Sequence, residues 1–212
     1  MKKILTILIL ISINLYSLTR NEASFLSAAN NGDINKVKEL LSLGVNINIQ
    51  DEEGLTALMY ASDFGHTEIA RELIKAGADV NIQNEIGWTA LIYASREGYI
   101  EIVRELIKAG TDLNIQNYYG TTALIMTSGY GYKEIVKELI KAWGDINIQD
   151  CEGYTALMVA SFNGYTETVK ELIKSGANID IQNEYAKTAF DYAKKNRHKN
   201  IVELLNKKEN KI

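Results

Sequence analysis

Residues 77–98 read GADVNIQNEIGWTALIYASREG, and nearly the same line returns on either side of them at a constant step. The tetrad Thr89-Ala90-Leu91-Ile92 has counterparts at Thr56-Ala57-Leu58-Met59, Thr122-Ala123-Leu124-Ile125, Thr155-Ala156-Leu157-Met158 and Thr188-Ala189-Phe190-Asp191, each 33 residues from the next. Gly32, Gly65, Gly98, Gly131 and Gly164 keep that step, as do the Ile-Gln pairs beginning at Ile49, Ile82, Ile115, Ile148 and Ile181. A period held this often without an insertion marks a repeat architecture. Units this short bury their apolar faces only by stacking on neighbours.

Each unit has the same local logic. Thr56 caps a short helix that turns Leu58 and Ala61 to one side and ends at Gly65. Ile69, Leu73 and Ile74 then fall at helical spacing before a stop at Gly77. Asp79 to Asn84 leads through extended chain and a turn at Gly87 into the next unit. The period predicts six units, 18–50, 51–83, 84–116, 117–149, 150–182 and 183–212, with the first and last as caps. Lys36 and Asn206 stand where a central unit has Ile69 and Ile74, polar side chains that stop a stack from growing. Trp143 replaces the glycine of Gly44, Gly77, Gly110 and Gly176. A left-handed residue at that place favours glycine, so Gly144 is expected to take over the conformation one residue later. The Trp143 side chain is then either an exposed contact or folded over the adjacent helix.

The frame resembles the ankyrin repeat. The resemblance runs from about Leu18 to the C-terminus and is carried by Gly54-Leu55-Thr56-Ala57-Leu58, by Gly65-His66 and by Gly77-Ala78-Asp79-Val80-Asn81. It implies an all-α solenoid of helix-turn-helix units with β-hairpin fingers. The family's Thr-Pro-Leu-His becomes Thr-Ala-Leu-Met or Thr-Ala-Leu-Ile here. Alanine preserves the helix. Losing the histidine removes a group that such proteins use to tie loops together, and less rigid fingers are expected.

Composition and motifs narrow the function. A net charge of -4 argues against a nucleic-acid binder, which needs a basic surface. His66 and His198 share one slot with Tyr99, Tyr132 and Tyr165, which points to a structural place between two helices. Cys151, the single cysteine, has no activating neighbour and reads as a surface thiol. No phosphate loop, nucleophile elbow or metal-ligand spacing occurs, so neither an enzyme nor a cofactor is expected. Glu68, Glu101, Glu134 and Glu167 precede Arg71, Arg104, Lys137 and Lys170 by three residues. Glu72, Glu105, Glu138 and Glu171 likewise precede Lys75, Lys108, Lys141 and Lys174, which predicts a solvated face of helix-internal pairs.

Residues 1–17 have their own character. Lys2 and Lys3 precede an apolar run from Ile4 to Leu15, and Tyr16-Ser17 begins a polar transition. That layout predicts a signal peptide cleaved after Ser17, with an uncleaved membrane tether as the alternative. The chain is therefore expected to be exported, periplasmic or secreted, with no membrane insertion of its mature domain. The form of the signal and the Ile-, Lys- and Asn-rich usage suggest a bacterial source.

Removing the invariant frame leaves the positions free to serve a partner. They are the finger tips at 51–55, 84–88, 117–121, 150–154 and 183–187, and the ends of the first helices. In proteins that resemble this one, these two sets line the concave surface where partners dock. Leu55, Phe64, Ile86, Trp88, Tyr118, Tyr119, Tyr130, Tyr154, Phe162 and Tyr185 would form an aromatic-rich strip there, edged by acids. A monomeric, non-enzymatic protein-binding module is the reading this supports, with a partner of basic or mixed charge. The alternative is a carrier or sensor of a small ligand in the Tyr-rich groove, which is shallower than small-ligand sites usually are.

Overall fold

The computed structural model describes residues 18–209; the expected signal segment at 1–17 lies outside them. Twelve helices and no strand are found among the described residues, so the molecule is an all-α solenoid. The helices come in six antiparallel pairs: α1 (Arg20–Asn31) with α2 (Ile34–Ser42), α3 (Ala57–Asp63) with α4 (Thr67–Lys75), and α5 (Ala90–Glu97) with α6 (Ile100–Lys108). Then follow α7 (Ala123–Tyr130) with α8 (Lys133–Lys141), α9 (Ala156–Asn163) with α10 (Thr166–Lys174), and α11 (Ala189–Lys195) with α12 (Lys199–Glu209).

Local chemistry sets the helix starts. The side chains of Thr56, Thr89, Thr122 and Thr155 accept the backbone N–H three residues on, at 3.2–3.3 Å. Thr188 and Asp191 form a full capping box, as do Thr19 and Glu22. Packing then follows residue size. The first helices meet through Ala61, Ser62, Ala94, Ser95, Ser128 and Ala160, all fully buried, and lie against one another closely. The hydroxyls of Ser62, Ser95, Ser128 and Ser161 have no partner, so serine serves here for its volume. The second helices meet through larger residues such as Ile69, Leu73, Ile102 and Leu106. The first-helix row is therefore more closely packed than the second-helix row.

The fingers differ from the hairpins expected. Each is a five-residue turn rather than a pair of strands: Asn84 N–H donates to Trp88 O at 3.0 Å and Gly87 N–H to Asn84 O at 2.9 Å. They are nevertheless tied together. Gln50, Gln83, Gln116 and Gln149 each donate through Nε2 to a carbonyl at their own turn and to the backbone O of the glutamine 33 residues on, at 3.0–3.2 Å for the second bond. Asn48, Asn81, Asn114 and Asn147 accept backbone N–H groups of the following unit at 2.8–2.9 Å. This double ladder ties fingers that lack the missing histidine.

Three non-glycine residues lie in the left-handed region: Trp143 at φ 69°, Ala186 at 53° and Arg197 at 62°. Trp143 holds that conformation itself, in place of the expected hand-over to Gly144, and its side chain is 92% exposed rather than folded onto a helix. The three share a physical reason. A Cβ at Gly54 would sit 2.9 Å from Glu85 N in the next finger, and one at Gly98 would sit 2.9 Å from the Tyr132 ring. Those glycines are needed twice, for φ and for the neighbour. At Gly44, Gly77, Gly110 and Gly176, the equivalents of Trp143, a Cβ meets nothing within 4 Å. Ala186 and Arg197 are in the last described unit, where no following unit presses on them.

The charged back face also departs from expectation. Among the described residues only Glu101–Arg104 and Glu167–Lys170 form within a helix from the two predicted series. Other acids reach the adjacent unit: Lys38–Glu68 at 3.7 Å, Arg71–Glu105 at 3.1 Å, Arg104–Glu138 at 3.2 Å and Lys137–Glu171 at 3.8 Å. The helices lie near enough that a long side chain finds the next unit as easily as its own next turn.

Candidate functional site

Finger tips and first-helix ends share one face, where residues of the two sets touch. Of the ten residues expected on the strip, Phe64, Ile86, Tyr118, Tyr119, Tyr130, Phe162 and Tyr185 are exposed. Leu55, Trp88 and Tyr154 are half-buried and pack against the core, so part of their role is structural. Some exposed rings also have neighbours. Phe64 stacks on His66 with centroids 6.3 Å apart, and Tyr130 on Tyr132 at 5.9 Å. Tyr118 and Tyr119, at 71% and 67% exposure, have the most open rings on this face.

The N-terminal part of the strip is acidic and rigid. Trp88 and Tyr93 rings lie 5.0 Å apart, and the Arg96 guanidinium covers both, 4.9 Å from the first centroid and 5.4 Å from the second. Arg96 is itself held by Asp63 of the preceding unit and by Glu97. Burial raises the Asp63 pKa, opposed by the Arg96 charge. With the one arginine paired twice, Asp51, Glu52, Glu53 and Glu85 leave this end negative.

A tyrosine in the first helix anchors three fingers. Tyr60 donates to Asp51 Oδ2 at 2.6 Å; the Tyr93 hydroxyl accepts from Asn84 at 3.0 Å, and that of Tyr192 accepts from Asn183 at 2.7 Å. Met126 and Val159 stand at the same place in the two units between, which have no such bond. These anchors were missed in sequence reasoning, though an Asp or Asn nine residues before a Tyr is a visible signal.

The C-terminal part holds a groove of about 600 Å³ between the last two units. Tyr154, Phe162, Tyr185 and Tyr192 wall it, and Lys187, Lys194 and Lys195 stand around it. Phe162 meets Tyr192 edge-on at 5.8 Å, and Tyr154 lies 5.4 Å from the same ring. The structure thus brings three of the ten predicted residues together in one hollow. A smaller hollow of about 270 Å³ adjoins it at Asp150, Val159 and Phe162.

The histidines are structural. Nε2 of His66 lies 3.0 Å from Asn30 O, and that of His198 lies 3.0 Å from Phe162 O. A carbonyl only accepts, so each ring carries its proton on Nε2. The rings cover Gly32 and Gly164 of the preceding units, as Tyr99 covers Gly65. Cys151 is exposed at a finger tip, with Sγ 3.6 Å from Tyr118 O.

Comparison with known proteins agrees with this geometry. A family model described as ankyrin repeats (3 copies) matches residues 25–117 and 124–212. A crystal structure of an ankyrin repeat domain from Acinetobacter baumannii AYE is similar with a TM-score of 0.80 and 36% identity, covering 85% of this chain and 95% of that one. No curated protein matches.

Proposed function

Because this chain belongs to the ankyrin-repeat family, whose repeats are in general protein–protein interaction modules and typically non-enzymatic, we propose that it binds a protein partner through its fingers and first-helix ends. One observation carries the reading. Seven of the ten exposed large hydrophobic side chains among the described residues, Phe64, Ile86, Tyr118, Tyr119, Tyr130, Phe162 and Tyr185, lie on this one face. Such clustering at sites the core does not need is the mark of a contact surface, and tyrosine brings much area at little entropy cost. In this reading the module is an exported bacterial adaptor, inhibitor or protective partner, delivered by residues 1–17. Among the described residues no helix is long and apolar enough to cross a membrane.

The test is capture of a partner from the envelope fraction by the wild-type chain and by Tyr118→Ala with Tyr119→Ala. Loss of capture with unchanged circular dichroism supports the surface; normal capture by the double variant removes it. Mass spectrometry of the N-terminus in each cell fraction tests export, and an intact Met1 in a soluble cytoplasmic pool would refute it. The 600 Å³ groove favours a second reading, a carrier or sensor of a small ligand. A defined-ligand titration separates the two.

A further inference from the structure

The hydrogen bonds around the groove between the last two units run in one direction. Asn183 Oδ1 accepts the backbone N–H groups of Tyr185 and Lys187, each at 3.1 Å. Its Nδ2 therefore faces Tyr192 and donates to that hydroxyl at 2.7 Å. An amide NH₂ has no acceptor lone pair to offer, so Tyr192 accepts there and gives its own hydrogen to the Tyr154 oxygen at 3.0 Å. The Tyr154 hydrogen is left over. No protein acceptor takes it among the described residues, and Tyr154 is a wall of the groove.

The acceptors nearby are the carboxylates of Asp191 and Glu152, each bonded through one oxygen, and neither takes the Tyr154 hydrogen. Asp191 Oδ2 takes the Thr188 N–H at 2.9 Å and the Thr188 hydroxyl at 3.0 Å. Glu152 Oε2 takes the Tyr185 hydroxyl at 3.4 Å. None of Lys187, Lys194 and Lys195 forms an ion pair within 4.0 Å among the described residues; Lys194 leans over the Phe190 ring at 5.9 Å. The groove thus offers one directed hydroxyl and three ammonium groups against two lining carboxylates, beside aromatic walls.

We propose that this groove receives the carboxylate of an acidic residue in the partner's chain, with the neighbouring apolar side chain of that segment packed on Phe162 and Tyr185. The inference rests on the interaction-module reading and adds the partner's local chemistry. A peptide is the occupant because a row of finger turns leads from the groove to further exposed rings. Glu184 N–H bonds Glu152 O at 3.1 Å and Cys151 N–H bonds Tyr119 O at 3.0 Å, setting the turns side by side toward the open Tyr118 and Tyr119 rings. The acidic end at Asp51 to Glu53 then selects basic residues further along the same segment, which gives the partner an ordered charge pattern.

The experiment is an NMR chemical-shift titration of the full chain with two blocked peptides, acetyl-Gly-Phe-Glu-Gly-amide and its glutamine counterpart, and with N-acetyl-phenylalanine. The glutamate peptide should shift amides around Tyr154 and Lys187 and bind about tenfold more tightly than the glutamine peptide. Tyr154→Phe, which keeps the ring, should weaken it about three- to tenfold, and Lys194→Gln with Lys195→Gln by about tenfold. Equal affinity of the two peptides, no binding of either, or an unchanged constant in Tyr154→Phe overturns the proposal. N-acetyl-phenylalanine bound as tightly as the peptide overturns the peptide assignment. Failure here is distinguishable from failure of the wider reading. A partner bound by Tyr154→Phe with an unchanged dissociation constant but lost from Tyr118→Ala with Tyr119→Ala refutes the groove alone.

Discussion

Trp143→Gly should make the protein more stable, although it deletes the largest side chain available. Trp143 holds φ 69° where its four counterparts are glycine. A left-handed backbone costs an L-residue about 1–2 kcal/mol. Glycine returns that strain but loses more freedom on folding, about 0.5–1 kcal/mol. The indole is 92% exposed, so the covered area forfeited is worth only ~0.3 kcal/mol. The balance is a gain of about 0.5 kcal/mol. Urea denaturation followed by circular dichroism, fitted with a nearest-neighbour model because arrays need not unfold in one step, reads the change. The reverse substitution, Gly110→Trp, should cost a similar amount, since a Cβ there meets nothing within 4 Å. Fluorescence adds a check: iodide should quench Trp143 far more than Trp88. A loss of stability in Trp143→Gly, or an unquenched Trp143, would refute the reasoning, because either requires the indole to be packed.

Gly98→Ala and Gly110→Ala separate strain from collision, because both glycines have φ 82° but only the first lies under a ring, that of Tyr132 at 2.9 Å. The first should cost about 1–3 kcal/mol more than the second in the same denaturation assay. Gln116→Ala removes bonds to Gly120 O at 2.6 Å and Gln149 O at 3.0 Å, and should cost about 1–2 kcal/mol while speeding hydrogen exchange at the Cys151 amide. Burial raises the Asp150 pKa against the backbone N–H bonds from Tyr154 and Glu152 that lower it. A raised folded pKa means the folded chain keeps a proton the unfolded chain has released. The charged form therefore weakens the fold above the folded pKa, and the penalty vanishes once pH falls below the unfolded value. Asp150→Asn, matching Asn84, Asn117 and Asn183, should then add roughly a few tenths of a kcal/mol at neutral pH after solvent screening, and nothing in acid. A gain that persists in acid would contradict this assignment.

The period, the threonine caps and the stacking of small first helices are legible in the residues, because each is fixed within one unit or by its own repetition. What escaped depends on the offset between units. The spacing Glu105–Lys108 gives no hint that Glu105 reaches Arg71 of the preceding unit. The recurrent Ile-Gln pairs are plain to see, but that each glutamine spans two turns depends on how far apart the fingers lie. At Trp143 glycine's preference for positive φ does not decide the conformation alone. The open space around that position lets a tryptophan bear the strain. On the strip, periodicity assigns ten residues to finger tips and first-helix ends, but half-burial of Leu55, Trp88 and Tyr154 comes from packing, such as Trp88 on Tyr93, that one unit's sequence does not declare.

Arg197 has a consequence for self-association. Its backbone copies that of Gly164, over which the His198 ring lies so closely that a Cβ would fall 2.6 Å from it. Arg197 carries that Cβ, and at the other end of the array the ring's slot is held by Asp33, which has no ring to seat. Ala186 likewise carries the Cβ that at Gly153 would lie 2.8 Å from the next finger, and the first described unit enters α1 at Arg20 where the others have a finger. A tail-to-head pair in the native register would therefore lack the ring-on-glycine contact of the internal junctions and the finger-on-finger contact of the later ones. Self-association by end-stacking is opposed by what the two ends omit, so Ala186→Gly with Arg197→Gly should not by itself produce filaments.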